Sequence, residues 1–484
     1  MFERKPSIFT LVWSLALRSF YLGQRRPLTY SFQSALPRQP VPPLKETIRR
    51  YLETIRPLIS QQDFEKTSAD AARYLASAQA RRSQALLVFK AWFAGNYVSD
   101  WWEKYVYLRS RAPLLINSNY YGLGYAYHVP SKHQTARAAV IAHHFARFKI
   151  LLEAEQLAPT TMRGTVPVCM RQYERMFGLT RIPGRDTDWL HHSDSVHVAV
   201  SHKGVWWRVD LFDLSDDKSP LSIDDIKYQL DVIVASAAHE GSLGASSSSA
   251  GKYAAHRYAH AAVEARLPAL TAIGRTRWAE IREDHFSGGL NKMSLDEIET
   301  AMFVVNLDDR APSTWSEVGT LSLHGGAGAT WWCDKSFNIN VFANGEASMH
   351  VEHSWADAPV MAHAWEWVLC HEHLSECYDK TGALKGAKPH NASVDSRGER
   401  VRCAISRAPH SCAEPCRNLA CGNGSRRKPA SVAPAALASV LLSLLRLLRR
   451  HCRRLRSPPS AACAPRMAAA WRSRGGRARG RDRR

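Results

Sequence analysis

The residues of this sequence with the clearest potential for chemistry are a histidine and an aspartate four positions apart, His353 and Asp357. An imidazole has an ordinary pKa close to neutrality, so a histidine can accept and return a proton under physiological conditions. The aspartate could pair with a cation or cap a helix, because Pro359 two positions later is typical of a helix start. The chain has 21 histidines, and an isolated histidine is usually structural, so the spacing alone does not establish a site.

The neighbouring segments predict that His353 lies on a turn that leads into a helix. An apolar run at 337–342 predicts a strand, and Asn344-Gly345 predicts a turn after it. The apolar segment 358–369 predicts the helix. A turn of this kind can direct a side chain into a cleft.

The hydrophobic pattern of the rest of the chain changes irregularly between helix and strand. Four prolines between 36 and 43 exclude a helix or a central strand there. Alternation between 195 and 213, around Lys203-Gly204, predicts a β-hairpin, and residues 303–305 predict a strand. The mixture predicts an α/β (mixed α+β) fold with a large mixed sheet flanked by helices. Helical periodicity covers 44–58, 62–80, 83–94, 134–156, 221–238 and 295–304.

Two segments rich in small residues predict loops rather than binding sites. Residues 241–251 contain four consecutive serines and predict a surface loop. Residues 325–328 predict a glycine-rich turn, and neither a Walker lysine nor the GxGxxG spacing accompanies it. We therefore assign no phosphate ligand to this turn.

The segment around His353 resembles the choline/carnitine acyltransferase family, and within it the palmitoyl-type members of the mitochondrial outer membrane. Matching blocks occur in the family's order along the chain. They are Leu36-Pro37 to Tyr51, Asn96 to Glu103, Asn117 to Tyr121, Glu174 to Phe177, Thr180 to Gly184, Asp334-Lys335-Ser336-Phe337, Asn344-Gly345, Glu352-His353 and Asp357-Ala358. The resemblance implies that residues 31–386 form the first half of a two-domain carnitine acyltransferase fold.

The resemblance also implies a reaction. In that family the histidine matching His353 is the general base that deprotonates the carnitine hydroxyl, or the coenzyme A thiol in reverse, for attack on the acyl group. An alcohol needs such a base within hydrogen-bond reach, and Asp357 would act as a positioning residue. Acyl-coenzyme A and carnitine are then substrates, without a permanently bound cofactor or a metal. The expected location is the cytosolic face of the mitochondrial outer membrane.

Several residues depart from the family pattern or receive no role. Gln39 stands where an apolar residue or proline is usual, Trp331 where arginine is usual, and Asn340 where a strand-core apolar residue is usual. A buried strand amide needs hydrogen-bond partners, so Asn340 is the least expected of the three. Glu352 is left without an assignment. We interpret four nearby histidines as packing or surface residues: His350, His363, His371 and His373.

The resemblance ends near Gly386. Residues after this point contain no motif for coenzyme A, for the carnitine carboxylate or for the oxyanion, which the family's second half supplies. The family's active site lies between its two halves. Loss of positioning and of electrostatic stabilisation each costs orders of magnitude in rate, so we expect little or no activity from this sequence as written.

Net charge is concentrated at the C-terminal end of the chain. Of the +21 total, +19 belongs to residues from Lys388 onward, where 23 basic residues face four acidic ones. Residues 387–484 predict a disordered, arginine-rich tail that contains a marginal apolar segment at 430–448. That segment is short for a membrane span and suits a basic interfacial helix.

Three interpretations of the tail remain open. Its arginine-glycine end could bind nucleic acid by neutralising phosphates. We favour nucleic acid less than a membrane surface as a partner. Cys412, Cys416 and Cys421 with His410 do not follow a common zinc spacing. The favoured interpretation is a translated out-of-frame or intronic GC-rich sequence without a selected function. A noncatalytic chain that binds a membrane or a partner through its ends is the alternative to the enzyme.

Residues 1–30 predict a segment close to a membrane surface. Arg4 and Lys5 precede an apolar run at 8–17, but Arg18 follows without a small-residue cleavage site, which disfavours a signal peptide. The run 8–22 is shorter than a bilayer span and contains Trp13, so it suits an interfacial helix as well as a core helix.

Overall fold

The computed structural model describes Val12 and residues 28–124, 129–213, 219–245, 265–328, 330–386 and 399–401. The chain divides into two compact units. Residues 38–97 form the described part of the smaller unit, and the other described residues belong to the larger one.

The smaller unit consists of three helices, α1 (Leu44–Ile55), α2 (Gln61–Ala76) and α3 (Ala78–Phe93). The sequence pattern predicted a helix over 62–80 and a separate one over 83–94, and this boundary is wrong. Ser77 is extended and ends α2, and its hydroxyl accepts a hydrogen bond from the backbone N–H of Ala80 at 3.1 Å. The serine therefore caps the next helix earlier than the apolar periodicity suggests.

The larger unit contains short and long helices around a mixed sheet. Its described α-helices are α4 (Ser99–Trp102), α5 (Leu114–Asn117), α6 (Gln134–Glu153), α7 (Ile223–Ala245), α8 (Arg275–His285), α9 (Gly289–Thr300), α10 (Trp315–Gly328) and α11 (Ala358–Leu374). Short 3₁₀ segments cover Gln33–Ala35, Arg171–Arg175 and Leu267–Ala272, and Glu103–Leu108 forms a π-helical turn after α4.

The strands form one large sheet and two small hairpin pairs. They are β1 (Tyr120–Leu123), β2 (Thr161–Met162), β3 (Val166–Pro167), β4 (Leu179–Ile182), β5 (Trp189–His192), β6 (His197–His202), β7 (Val205–Asp210), β8 (Val304–Asp308), β9 (Phe337–Phe342), β10 (Ala347–Val351) and β11 (Glu399–Val401). The large sheet has the order β1-β10-β9-β8-β6-β7-β11. Its β6–β8 and β8–β9 pairs are parallel and its other pairs antiparallel. The predicted mixed α/β fold is confirmed.

The predicted hairpin around Lys203-Gly204 is also confirmed. Strands β6 and β7 pair antiparallel, and the two turn residues have positive φ angles of 49° and 76°. Two positive φ angles in a row are the geometry of the two-residue turn that matches the twist of the flanking strands. Glycine adopts this conformation without strain, which explains its place at the second position.

The two faces of the sheet pack against different helices. Val198 and Val200 of β6 belong to a large apolar cluster with Phe145 of α6 and residues of α11. Ala199, which points the opposite way, packs in a second cluster with Leu295 of α9. This alternation follows from the period of two along a strand and explains why the central strands are buried throughout.

One face of the sheet carries a polar ladder, defined here as Asn306, Asn338, Asn340 and Ser348. Asn306 donates to Oδ1 of Asn340 at 2.9 Å, and Asn340 donates to Oγ of Ser348 at 3.3 Å. All four residues are buried. The oxygen and the nitrogen of the Asn340 amide thus each have a hydrogen-bond partner. These bonds explain how an asparagine can occupy a buried strand position.

Other boundaries differ from the sequence patterns. Helix α7 continues through Gly241 to Ala245, where a loop was predicted. Helix α9 ends at Thr300, before the predicted residue 304. The glycine-rich segment 325–328 forms the end of α10, with Gly325 and Gly326 at positive φ.

The tail and the N-terminal segment are described only in part. Residues 399–401, which lie in the segment predicted to be a disordered tail, form β11 at the edge of the sheet. The remaining tail, with the 430–448 segment and the cysteines, and the apolar run at 8–22 apart from Val12 lie outside the described residues. In the described part of the chain, no helix combines the length and apolar character that crossing a membrane requires.

Candidate active site at His353

His353 lies on the turn between β10 and α11, as the sequence predicted. Two hydrogen bonds hold this turn to the residue before β9. The backbone N–H of Glu352 donates to the carbonyl oxygen of Ser336 at 3.1 Å, and Nε1 of Trp355 donates to the same oxygen at 2.9 Å. Trp355 is buried in the large apolar cluster. The turn is therefore fixed on both sides of His353.

The imidazole of His353 is oriented by a backbone carbonyl. Nδ1 lies 3.1 Å from the carbonyl oxygen of Ser118, which follows α5. A carbonyl oxygen can only accept, so Nδ1 must carry the hydrogen and, in the neutral ring, Nε2 has a free lone pair. The side chain is 32% exposed, so this nitrogen can be reached by a substrate. The arrangement is that of a base held in one tautomer.

Two tyrosine rings contact the imidazole. The ring centroid of Tyr107 lies 5.2 Å from that of His353, and the ring of Tyr120 meets it edge-on at 5.0 Å. Burial raises the pKa of both phenols, and the carboxylate of Asp357 adds to the effect. Both tyrosines are therefore neutral near pH 7 and provide ring contacts without a competing charge.

Asp357 lies on the open side of the imidazole. Its Oδ1 is 4.0 Å from Nε2 of His353, and its side chain is 66% exposed. Asp357 stands at the N-cap position of α11, but its carboxylate does not cap the helix, which was one of the two roles that the sequence left open, because the side chain makes no hydrogen bond to the first turn. Instead Gln172 donates to Oδ2 at 3.3 Å and accepts from the backbone N–H of Asp357 at 3.2 Å. Gln172 thus holds the carboxylate away from the helix end and beside the histidine.

Glu352, which received no role from the sequence, is a buried part of the same turn. Its carboxylate accepts hydrogen bonds from the backbone N–H of Ser354 at 3.0 Å and from the Ser354 hydroxyl at 2.5 Å. Nη1 of Arg181 donates to its other oxygen at 2.8 Å. Glu352 and Arg181 are both buried, so the charges compensate each other away from water. Glutamate next to histidine gives no sequence signal for a partner so distant along the chain.

The ion pair continues into an alternating series of buried charges. This charge series consists of Glu352, Arg181, Asp188, Arg275 and Asp334. Arg181 and Arg275 each donate through Nε to Oδ2 of Asp188 at 2.8 Å, and Arg275 donates to Oδ1 of Asp334 at 2.5 Å. Burial opposes ionisation of Asp188, but the Arg275 and Arg181 guanidinium groups hold its pKa below the ordinary value. For Asp334 burial dominates and raises the pKa.

Another buried histidine supports the carbonyl that orients His353. Nδ1 of His350 donates to the carbonyl oxygen of Ser322 at 3.0 Å, and Nε2 lies 3.0 Å from the amide nitrogen of Asn119. The same amide donates to the Cys333 carbonyl at 2.8 Å. Burial lowers the pKa of His350 to about 4, so the ring is neutral and can accept from Asn119. Asn119 immediately follows Ser118 and thereby fixes its position.

The other three nearby histidines lie along α11 and have packing or surface environments. Nδ1 of His363 and the Tyr173 hydroxyl share a hydrogen bond of 2.7 Å. The ring of His371 stacks on that of Trp367, with 3.6 Å between the ring centroids. His373 is exposed. Within the described ranges, histidine, cysteine, aspartate and glutamate side chains form no group that could hold a metal ion.

Residues 39–419 match the family described as Choline/Carnitine o-acyltransferase. The chain belongs to this family. It is 39% identical over 396 residues to carnitine O-palmitoyltransferase 1, muscle isoform, from Rattus norvegicus, covering 80% of this chain and 48% of the relative. It is 39% identical over 391 residues to the liver isoform from Homo sapiens, covering 79% and 47%. With peroxisomal carnitine O-octanoyltransferase from Mus musculus it shares 28% identity over 357 residues, covering 70% and 54%.

These matches establish the predicted family without establishing an activity for this chain. The chain spans about half the length of the two carnitine O-palmitoyltransferases. Choline/carnitine acyltransferases of the carnitine type use acyl-coenzyme A and carnitine as substrates.

Proposed function

We propose that this chain carries the general-base part of a carnitine O-acyltransferase that acts on long-chain acyl groups, with His353 as the base. The observation that supports this most directly is the hydrogen bond from Nδ1 of His353 to the Ser118 carbonyl. It leaves Nε2 unprotonated on the accessible side of the ring, as a general base requires. Family membership supports carnitine and acyl-coenzyme A as the reacting molecules.

In the proposed reaction Nε2 of His353 accepts the proton of the carnitine hydroxyl. The oxygen then attacks the thioester carbonyl carbon of acyl-coenzyme A and forms a tetrahedral oxyanion. When the oxyanion collapses, the carbon–sulfur bond breaks and the thiolate takes the proton back from the imidazolium. The histidine is thereby regenerated, and the products are acylcarnitine and free coenzyme A.

Asp357 contributes by stabilising the protonated state of His353. Its Oδ1 lies 4.0 Å from Nε2, close enough for attraction to an imidazolium but too long for a hydrogen bond. The exposure of the carboxylate limits the size of this effect, because water screens the interaction. Asp357 is therefore proposed as a positioning residue rather than as a second base.

The long-chain preference and the location rest on relatives alone. Two of the relatives are named as palmitoyltransferases at 39% identity, whereas the octanoyltransferase is 28% identical. We extend this preference to the present chain and place it at the cytosolic face of the mitochondrial outer membrane. Comparison of palmitoyl- with octanoyl-coenzyme A tests the first point, and protease accessibility of the chain on intact mitochondria tests the second.

The direct test measures carnitine-dependent release of thiol from palmitoyl-coenzyme A by the full chain. We expect slow release that falls to the background rate in His353→Ala. His373→Ala is the matched control, because His373 is an exposed histidine near the end of α11. The control should retain the activity of the unchanged chain.

Two outcomes contradict the proposal. One is a complete absence of carnitine-dependent release from the unchanged, folded chain. The other is equal release from the unchanged chain and from His353→Ala, which would assign the reaction to another group or to background hydrolysis.

A further inference from the structure

The charge series links the turn that carries His353 to the segment before β9. It begins at Glu352 and passes through two arginines and Asp188 to Asp334. Asp334 precedes Ser336 by two residues, and the carbonyl oxygen of Ser336 accepts the backbone N–H of Glu352 at 3.1 Å. The segment before β9 and the turn that carries His353 are therefore connected twice, once by the side chains of the charge series and once by this backbone hydrogen bond.

Arg181 is the member of the charge series that also contacts a segment lying beside the imidazole of His353. Its Nε donates to Asp188 at 2.8 Å, its Nη1 to Glu352 at 2.8 Å, and its Nη2 to the backbone carbonyl of Tyr107 at 2.7 Å. Tyr107 in turn contacts the imidazole of His353. One planar guanidinium therefore holds three separate chain segments in a fixed mutual geometry, which a lysine could not do.

A fully buried arginine is uncommon in proteins, so the burial of Arg181 calls for a physical explanation. Its side chain and those of Glu352 and Asp188 are between 0% and 1% exposed. Buried ion pairs often add little to stability compared with apolar residues of the same volume, because desolvation offsets the attraction. Buried ion pairs do provide directional hydrogen bonds, which fix the relative positions of the groups they join. Apolar residues would not do this, because dispersion contacts have no preferred direction.

We infer that Arg181 is a positioning residue for His353: it fixes the Glu352 turn against the Tyr107 segment so that Nδ1 of His353 meets the Ser118 carbonyl. This inference rests on the proposed function, in which the free Nε2 is the base. Without the guanidinium, the carboxylate of Glu352 is buried without its counter-charge and must move or take up a proton. Either change displaces the turn and releases the imidazole from Ser118.

The test measures the tautomer of His353 by NMR on the full chain with ¹⁵N-labelled histidine side chains. Signals of His353 are assigned by their absence from His353→Asn. Spectra are recorded at about pH 8, where an ordinary histidine is neutral. The unchanged chain should show His353 with hydrogen on Nδ1. In Arg181→Met this form should become the minority, because a released imidazole no longer has a fixed acceptor for Nδ1–H.

Arg185→Met is the matched control. Arg185 is an exposed arginine four residues along the chain that pairs with Glu283 at the surface. Removal of this pair should leave the His353 signals unchanged. Circular dichroism of each variant establishes that it is folded, so that a change at His353 is separated from global unfolding.

A second variant decides the question if Arg181→Met does not fold. Glu352→Gln has nearly the same shape and keeps one oxygen for Arg181. Its amide nitrogen then faces the N–H and hydroxyl of Ser354, which now lack a full acceptor. The turn should shift, and the Nδ1–H form of His353 should decrease here too.

Unchanged His353 signals in folded Arg181→Met, or in Glu352→Gln where the former does not fold, overturn the inference. Hydrogen on Nε2 in the unchanged chain also overturns it. The measurement needs no turnover, so it is independent of the thiol-release assay. Missing acyltransferase activity would contradict the proposed function while the tautomer result still reports on Arg181.

Discussion

The carbonyl oxygen of Ser118 lies 3.1 Å from Nδ1 of His353, although 235 residues separate the two in the sequence. This contact sets which imidazole nitrogen is free. The segment that supplies it is anchored by Asn119, whose amide is shared between the ring of His350 and the Cys333 carbonyl. The orientation of His353 therefore depends on side chains that do not touch it.

Asp357→Asn should reduce His353-dependent thiol release by no more than about fivefold, because an exposed ion pair of this length contributes at most about 1 kcal/mol. The loss should shrink at high salt, where the interaction is already screened in the unchanged chain. Thiol release at low and at high ionic strength checks both points. Asp309→Asn, at an exposed carboxylate, is the control. A loss of several hundredfold would show a more direct role for Asp357.

Phe145→Ala should lower the free energy of unfolding of the larger unit by about 3–5 kcal/mol, as expected for a fully buried aromatic. Phe145 lies 5.4 Å from Phe303 and 5.1 Å from Phe337, between ring centroids. Urea denaturation followed by tryptophan fluorescence measures the change. Leu374→Ala, at a 72% exposed position, should change it by less than about 0.5 kcal/mol. Equal effects of the two substitutions would contradict this description of the core.

His144→Leu should stabilise the folded chain, and more so in acid. His144 is buried, and neither ring nitrogen has a hydrogen-bond partner among the described residues. Burial, with the nearby His143, Arg147 and His371, lowers its pKa to about 3. The folded state therefore binds fewer protons than the unfolded state, and stability falls as pH decreases from about 6.5 towards 3.

Urea denaturation at several pH values between about 7 and 4 measures this effect. The leucine variant should lose less stability over this range than the unchanged chain does. His373→Leu, at an exposed histidine, should follow the unchanged chain. If the acid dependence is the same in His144→Leu, the histidine is not held neutral by burial.

Lys335→Met should remove a gain of stability at alkaline pH. Nζ of Lys335 is fully buried and donates to the Thr180 hydroxyl at 2.9 Å and to the Glu299 carbonyl at 2.6 Å. Burial lowers its pKa to about 7. Between about pH 7 and 10.4 the folded state binds fewer protons than the unfolded state, so stability rises with pH.

The measurement is the free energy of unfolding at pH values across this range. The unchanged chain should gain stability relative to Lys335→Met as pH rises. Lys380→Met, at an exposed lysine, serves as the control. A difference that stays constant with pH would mean that Lys335 keeps an ordinary pKa.

Local patterns predicted the elements around the site because those elements depend on local chemistry. The apolar run at 337–342 forms β9, Lys203-Gly204 forms the turn, and the turn before α11 carries His353. These features follow from strand alternation, positive φ and helix initiation, all of which are visible within a few residues.

The sequence could not reveal interactions that depend on chain segments far apart. Glu352 meets Arg181 across 171 residues, and no spacing rule connects them. Of the two roles that the sequence left open for Asp357, capping does not occur because Gln172, 185 residues away, holds its carboxylate. Ser77 shows the same limit at short range, since its hydroxyl accepts a backbone hydrogen bond and begins the next helix inside the segment that apolar periodicity assigned to the helix before it.

The polar ladder has a consequence for how the sheet aligns while the chain folds. A slip of β9 by one residue would turn Asn338 and Asn340 towards the aromatic cluster around Phe145, where the amides would find no acceptors. The same slip would place Phe337 and Ile339 among the ladder's polar groups. The ladder therefore penalises misaligned pairing, and the asparagine that departs from the family pattern helps to specify the register on which the His353 turn depends.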